Sequence, residues 1–392
     1  MTALPLPLPA TRAAALARLD AFLPRAGLAY AARRNEDLPG HPHVSGLSPY
    51  IRHRLITEAE LLNATLRRHP DGADKFLAEV WWRTYWKGWL ERRPAIWSAY
   101  RQGLTAALNR LQTEAGLRQQ WDAACKGETG IDGFDHWARE LATTGYLHNH
   151  ARMWFASIWI FTLRLPWELG ADVFLRHLID GDPASNTLSW RWVGGLHTPG
   201  KTYAATPDNI AKNTNGRFRP TGLARTCPPL PMTPHPAPRP VPQGDSLHDT
   251  PTALLLHDDD LAGDGFPHLA PDTPLLFLTT TTRRSPLAVN PLVHAFVDEA
   301  MADTARRHGQ PDAPRFTDAT LQDLADHLAA QGIGQLATPY APIGPTAAAL
   351  QRLAPLLDER GIRLARLLRD HDAQAWPHAT HGFFRFREGV MR

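Results

Sequence analysis

The sequence predicts a chain of two fold classes: an all-α domain, a proline-rich linker, and a small Rossmann-like α/β domain built on an open, mainly parallel sheet. Three observations predict it. Up to residue 227 apolar residues recur at helical spacing and strand-like alternation is nearly absent. Pro228–Pro242 then holds eight prolines in fifteen residues, which excludes helix or central strand and favours an extended, semi-rigid tether. Beyond it, short apolar runs alternate with helical patterns. The expected boundaries are 1–227, 228–247 and 248–392. Twelve of the thirteen tryptophans precede the tether, so the two sides also differ in what fills their cores.

The elements follow in order. Thr57 as N-cap and Glu60 three residues on form a capping box that opens a helix to about Arg68. Further helices are expected at about 73–91, 100–116, 133–144, 146–163 and 167–178. After the tether, Ala253–His257, Leu275–Thr279 and Ile362–Leu368 read as strands, with helices at about 292–308, 319–331 and 345–360. Neither GxGxxG nor GxxxxGK[ST] marks a phosphate loop there, so the sequence names no ligand for this part.

Bulk composition narrows the function classes. Apolar content of 43% and charged content of 21% are those of a soluble globular protein. No apolar run is long enough to span a bilayer and the opening MTALPLPLPATR lacks a signal pattern, so a cytoplasmic location is expected. Cys125 and Cys227 stand alone, which argues against a disulfide framework, a cysteine zinc site or an iron–sulfur cluster. None of the nineteen histidines forms HExxH. Residues 1–240 carry 29 Lys and Arg against 20 Asp and Glu, whereas 241–392 carry 13 against 19. A basic part joined to an acidic one suits a polyanionic partner such as nucleic acid, although drift in surface composition explains it equally well.

Three constellations carry chemistry. On the helix through Glu79-Val-Trp-Trp-Arg83, Glu79, Trp82 and Arg83 share one face. A carboxylate, a flat indole and a guanidinium suit a nucleobase, or else an internal salt bridge in a core helix. In Leu147-His-Asn-His-Ala-Arg-Met153 the same spacing aligns Asn149 with Arg152. The stretch LIDGDPASNTLSWRW (178–192) adds Asp180 as a partner for Arg152, Asp182 as a second acceptor, and Asn186 one helical turn before Trp190. These acids and tryptophans serve either a flat polar ligand or a buried polar network at a helix junction.

Together the segments YAARRNEDLPGHPHVSGLSPY (30–50), EVWWRTYW (79–86), TGYLHNHARM (144–153), LPWELGADVFLRHLIDGDPASNTLSWRWVGGL (165–196) and TPGKTYAATPDNI (198–210) resemble the FAD-binding helical domain of the DNA photolyase/cryptochrome family, in the family's order. The resemblance implies a photolyase-type helical domain holding a bent FAD. It implies cofactor contacts from Tyr30, Val44, Ser45, Gly46, Leu47, Ser48, Arg83, Arg152, Asp180, Gly181, Asp182 and Asn186, with Asn186 beside flavin N5. It implies a base-reading set of Glu79, Trp82 and Asn149, with Arg34 and His150 on the DNA side. Glu79, Asn149 and Asn186 would be the catalytic residues, and Trp190 and Trp167 the inner and middle members of an electron relay.

The sequence also departs from the family. The outer relay member has no clear counterpart, Trp121 being only a candidate, and His150 replaces an arginine that commonly contacts DNA phosphate. Family members begin with an antenna-type α/β domain, whereas here 257–278, 297–309 and 378–390 resemble that half placed after the tether, a permuted order. Whether an antenna chromophore binds is left open. The implied function is light-driven, FAD-dependent repair of cyclobutane pyrimidine dimers in DNA. The alternative is a cryptochrome-like blue-light receptor that binds FAD without repairing.

Overall fold

The structure is a computed structural model that describes residues 8–263, 266, 269–270 and 272–391. The first part comprises α1 (Arg12–Phe22), α2 (Leu28–Arg33), α3 (Ser48–Arg52), α4 (Glu58–Arg68), α5 (Asp74–Glu91), α6 (Ala95–Thr113), α7 (Ala115–Lys126), α8 (Phe134–Thr144), α9 (Asn149–Ser157), α10 (Trp167–His177), α11 (Pro183–Val193) and α12 (Pro207–Asn213). Thr57 and Glu60 form the expected reciprocal cap on α4. Two expectations differ. The helix placed at 100–116 starts at Ala95, directly after Pro94, and a separate α7 follows at once. The helix placed at 146–163 starts only at Asn149, because Gly145 ends α8 in the left-handed region and the His148 side chain then caps α9. A π-helical turn, Ile158–Thr162, extends it.

The second part holds β1 (Thr252–His257), β2 (Leu275–Thr279), α13 (Pro291–Arg307), β3 (Arg315–Thr317), α14 (Leu321–Ala330), β4 (Gln335–Pro339), α15 (Pro345–Asp358), β5 (Arg363–Leu367), α16 (Asp370–Ala375) and α17 (Phe383–Val390). The five strands form one parallel sheet in the order β3-β2-β1-β4-β5. Strands β3 and β4 escape sequence reading. One is three residues long with exposed ends, and the other is Gln-Leu-Ala-Thr-Pro without a clear period.

Both faces of the sheet are covered, which is why β1 and β2 read as continuous apolar runs. Ala253, Leu255, Leu276 and Leu278 pack under α14 and α15. Leu254, Leu256, Leu275 and Phe277 join α13 and, across the sequence boundary, Leu19, Phe22, Tyr50 and Leu61 of the helical part in one apolar cluster. The proline-rich stretch lies along the helical part: Leu230 N–H donates to Gly194 O (3.0 Å) and Arg239 N–H to Arg92 O (2.8 Å). Among the described residues no helix is long and apolar enough to cross a membrane.

Charge joins the two parts as firmly as apolar contact. Arg54, a non-glycine residue at φ 48°, places its buried guanidinium on Glu58 (3.1 Å), Asp260 (3.0 Å) and Asp372 (2.6 Å). Asp260 also takes both arms of Arg369 (2.6 and 2.7 Å). Arg52 pairs with Asp259 and donates to Gly181 O (2.8 Å), and His53 bonds Asp258 O. Replacing Arg54 by Ala takes a cation from three buried carboxylates, of which Asp260 keeps Arg369 while Glu58 and Asp372 lose their closest partner. We expect it to lower stability by roughly 3–5 kcal/mol, read as the shift in a urea unfolding midpoint at pH 7.

Candidate functional site

The site is organised where the chain leaves α10 and turns into α11. At Gly181 a Cβ would sit 2.9 Å from Leu175 O and 3.0 Å from Leu178 O, so the turn excludes a side chain. Asp182 then caps α11, its Oδ1 accepting from Ser185 N–H (2.8 Å), with Pro183 at the first helical position. Asp180 accepts from Arg152 of α9 (2.9 Å), and Ser48 of α3 lies close by. Burial works to raise the Asp180 carboxyl, but Arg152, Ser48 and Arg83 outweigh it and hold it below the usual range. The structure thus gathers Ser48, Arg83, Arg152, Asp180, Gly181 and Asp182 from separate segments of the helical part. Leu47 is buried, and Ser45, Gly46 and Val44 lead into α3, with Arg18 bonding Ser45 O (2.5 Å).

Several polar atoms in this gathering lack partners. Nε and Nη2 of Arg83, Oδ1 of Asp180 and Nε1 of Trp190 are buried without a hydrogen bond. Lys87, wholly buried one turn beyond Arg83, stands 3.9 Å from Asp182 and adds a cation that sequence reading passed over. Burial and the nearby Arg54 lower its ammonium, while Asp182 and Glu58 oppose them. Asn186, nearly buried on α11, donates to Ala171 O (2.8 Å). These orphaned donors and acceptor suit a flat group carrying both polar edges, and the residues fit the FAD implied by the resemblance.

The second set lies toward the other end of α5. Glu79, a third exposed, bonds Arg34 (2.5 Å), and Tyr30 packs edge-on against Phe22 (5.7 Å) and Phe76 (5.2 Å). Burial raises the Glu79 carboxyl although Arg34 opposes it. Trp82 is half-buried and stacks on Phe383 of α17. Asn149 is exposed at the start of α9. His150 is tied inward, its ring contacting Asn35 O (3.1 Å) and Tyr203 Oη (3.2 Å) and stacking on Trp154 (4.2 Å between centroids).

The two relay candidates have different neighbours. Trp190 touches Phe174 (5.1 Å between centroids), Trp159 (6.2 Å) and Phe155 (6.4 Å). Trp167 instead lies against Tyr100 (5.6 Å), which leads to half-buried Trp97 (5.2 Å). Trp121 lies beside Arg118.

Sequence reading also missed a buried triad behind the 44–48 run. His41, at φ 48°, lies 3.0 Å from Glu140 and 3.4 Å from Asp37, which also accepts from Trp137 (2.9 Å) and Arg217 (3.3 Å). Burial opposes charge on the ring, but the two carboxylates raise it to about 9. The only sequence signal was a histidine four residues after an aspartate in a loop.

With the geometry in place, the comparisons converge. Residues 76–217 match the profile of the FAD-binding domain of DNA photolyase. The chain is 36% identical over 165 residues to a deoxyribodipyrimidine photo-lyase of Streptomyces griseus, covering 42% of this chain and 34% of that protein. It is 37% identical over 202 residues to one of Thermus thermophilus, covering 51% and 46%. The Escherichia coli deoxyribodipyrimidine photo-lyase is 28% identical over 202 residues, covering 50% and 41%. The chain therefore spans less than half the length of the curated relatives it matches. Over residues 76–217 its helical part is similar to the FAD-binding domain of DNA photolyase.

The triad predicts a pH dependence. His41 has a folded value above its ordinary 6.5, so its contribution is whole below about pH 6.5 and is lost as pH rises through about 9. We expect the stability difference between wild type and His41→Asn to shrink by at most about 3 kcal/mol across that window, measured by denaturant titration at each pH.

Proposed function

We propose that the chain repairs cyclobutane pyrimidine dimers in DNA, using light and a bound FAD. The observation that carries this reading is the set of buried polar atoms without a hydrogen bond on Arg83, Asp180 and Trp190, lying within the segment that matches a photolyase FAD-binding domain. When bound in reduced form, FAD supplies the excited-state electron that splits the dimer and takes it back. The chain's own residues bind, orient and tune. Arg152 paired with Asp180, Asp182 and Asn186 would hold the flavin ring and sugar, and Tyr30 with Val44–Ser48 would hold the phosphate and ribityl groups. Trp190 and Trp167 would serve an electron relay, Trp190 through its contacts with Trp159 and Phe174 and Trp167 through Tyr100.

The substrate side follows from α5. A dimer must leave the base stack to reach the cofactor, and a damaged pair is easier to extrude. Trp82 offers an aromatic surface, Asn149 an exposed amide with both donor and acceptor atoms, and Glu79 a carboxylate that can accept from a base edge. Arg34, and less directly the inward-tied His150, serve the backbone. Retention of a neutral amide at Asn186 supports repair, which works with fully reduced flavin.

The test is dimer loss from oligo-dT under blue light against a dark control, with flavin absorbance recorded on the purified protein. Loss in light alone supports repair. Photoreduction without dimer loss would leave a light receptor, and a colourless chain that ignores added FAD would sink both. Arg152→Ala removes a charged hydrogen bond and leaves Asp180 buried without its ion-pair partner, so FAD should dissociate roughly 10- to 100-fold more readily in an equilibrium titration. Glu79→Ala should lower repair per absorbed photon roughly tenfold with flavin content unchanged.

A further inference from the structure

Trp82 is the one residue of the base-reading set whose ring is already stacked. Phe383, the first residue of α17, lies parallel to it, with centroids 3.8 Å apart and planes 8° apart. Tyr85 meets Trp82 edge-on (5.5 Å, 81°) and Trp86 leans on it at 33° (4.9 Å). A near face-to-face pair is not what two free aromatic rings prefer, so the surrounding packing holds it.

That packing is visible. Phe386 is wholly buried against Tyr85 (5.4 Å) and Trp81 (6.1 Å), and Phe383 is 4% exposed. Tyr85 Oη donates to His381 O (2.8 Å) and Arg93 to Thr380 O (2.8 Å). Gly88 makes room on α5 for Trp376, since a Cβ there would stand 2.7 Å from the indole. Residues 376–386 are therefore seated on α5 and the turn after it by buried rings and by two hydrogen bonds, which a loose lid would lack.

We infer that Phe383 is a positioning residue for base recognition: it fixes the plane of Trp82, so the last helix of the chain completes a surface that α5 alone cannot hold. This rests on the reading of Trp82 as a stacking residue. An unsupported indole would lose rotamer freedom each time a base stacked on it, and Phe383 removes that loss in advance.

The experiment uses the full chain with FAD bound and a short oligo-dT carrying one thymine dimer. Phe383→Leu, Phe383→Tyr and Trp82→Ala are compared with wild type by fluorescence anisotropy, repair at saturating oligonucleotide, flavin content and melting temperature. Phe383→Leu should bind about three- to tenfold more weakly, with saturated repair per photon and flavin content unchanged, and Phe383→Tyr should restore affinity. Wild-type affinity in Phe383→Leu overturns the inference, and so does tighter binding, which would mean that the ring occupies the base's place. Should Phe383→Leu fail to fold, Phe383→Met replaces it and Phe383→Tyr is still required to match wild type; a weak-binding, well-folded Phe383→Tyr is a refutation. If Trp82→Ala binds as wild type does, the reading of Trp82 itself is wrong and the inference falls with it.

Discussion

The structure depends on the interlock between Arg52-His53-Arg54 and Asp258-Asp259-Asp260, two short charged runs about two hundred residues apart in sequence. All six side chains are buried. Taking that many charges out of water is expensive, and the arrangement holds because almost every ion meets an opposite one with good geometry. Arg54 reaches three carboxylates, Asp260 receives two guanidinium groups, and Asp258 is held by Thr280 and Thr281 hydroxyls. Arg52 and Arg54 are raised by their acidic neighbours against the pull of burial, and Asp259 and Asp260 are lowered. Neither run could be buried without the other.

The interlock sits at the carboxyl end of β1, the central strand, between β2 and β4. In open parallel sheets that crevice is where ligands usually bind. Here the chain's own Arg52 and His53 occupy it, so the sheet uses its most versatile surface to hold the helical part. The consequence reaches the candidate site. Arg52 donates to Gly181 O and Arg284 to Leu178 O (3.1 Å), which supports the Asp180 turn from behind. Arg284 is itself lowered to about 10 by burial and by Arg52. The α/β part thus stiffens the turn that carries Asp180 and Asp182, while α17 does the same for Trp82.

Much of this was legible locally. The capping box at Thr57 and the apolar runs of β1 and β2 are short-range signals, and each marks the element it should. The grouping of Arg152 with Asp180 was also readable, because an acid and a base in two apolar helical segments need each other. What could not be read were Lys87, Arg52 and Phe383. A lysine in a tryptophan-rich helix looks like a solvated residue, and Arg-His-Arg looks like a surface turn. Nothing within ten residues of Phe383 announces Trp82.

The sequence by itself determined the capped and strongly periodic helices, the apolar strands β1 and β2, where the proline-rich stretch falls, and which residue types are available at the candidate site. Those follow from periodicity, capping and turn chemistry, which act over a few residues. Only the tertiary structure decided which charges meet, that Trp159 rather than Trp167 touches Trp190, and that the last helix lies on α5. Such pairings depend on burial and on mutual orientation between distant elements, and a side chain's neighbours in space leave no mark on its neighbours in sequence.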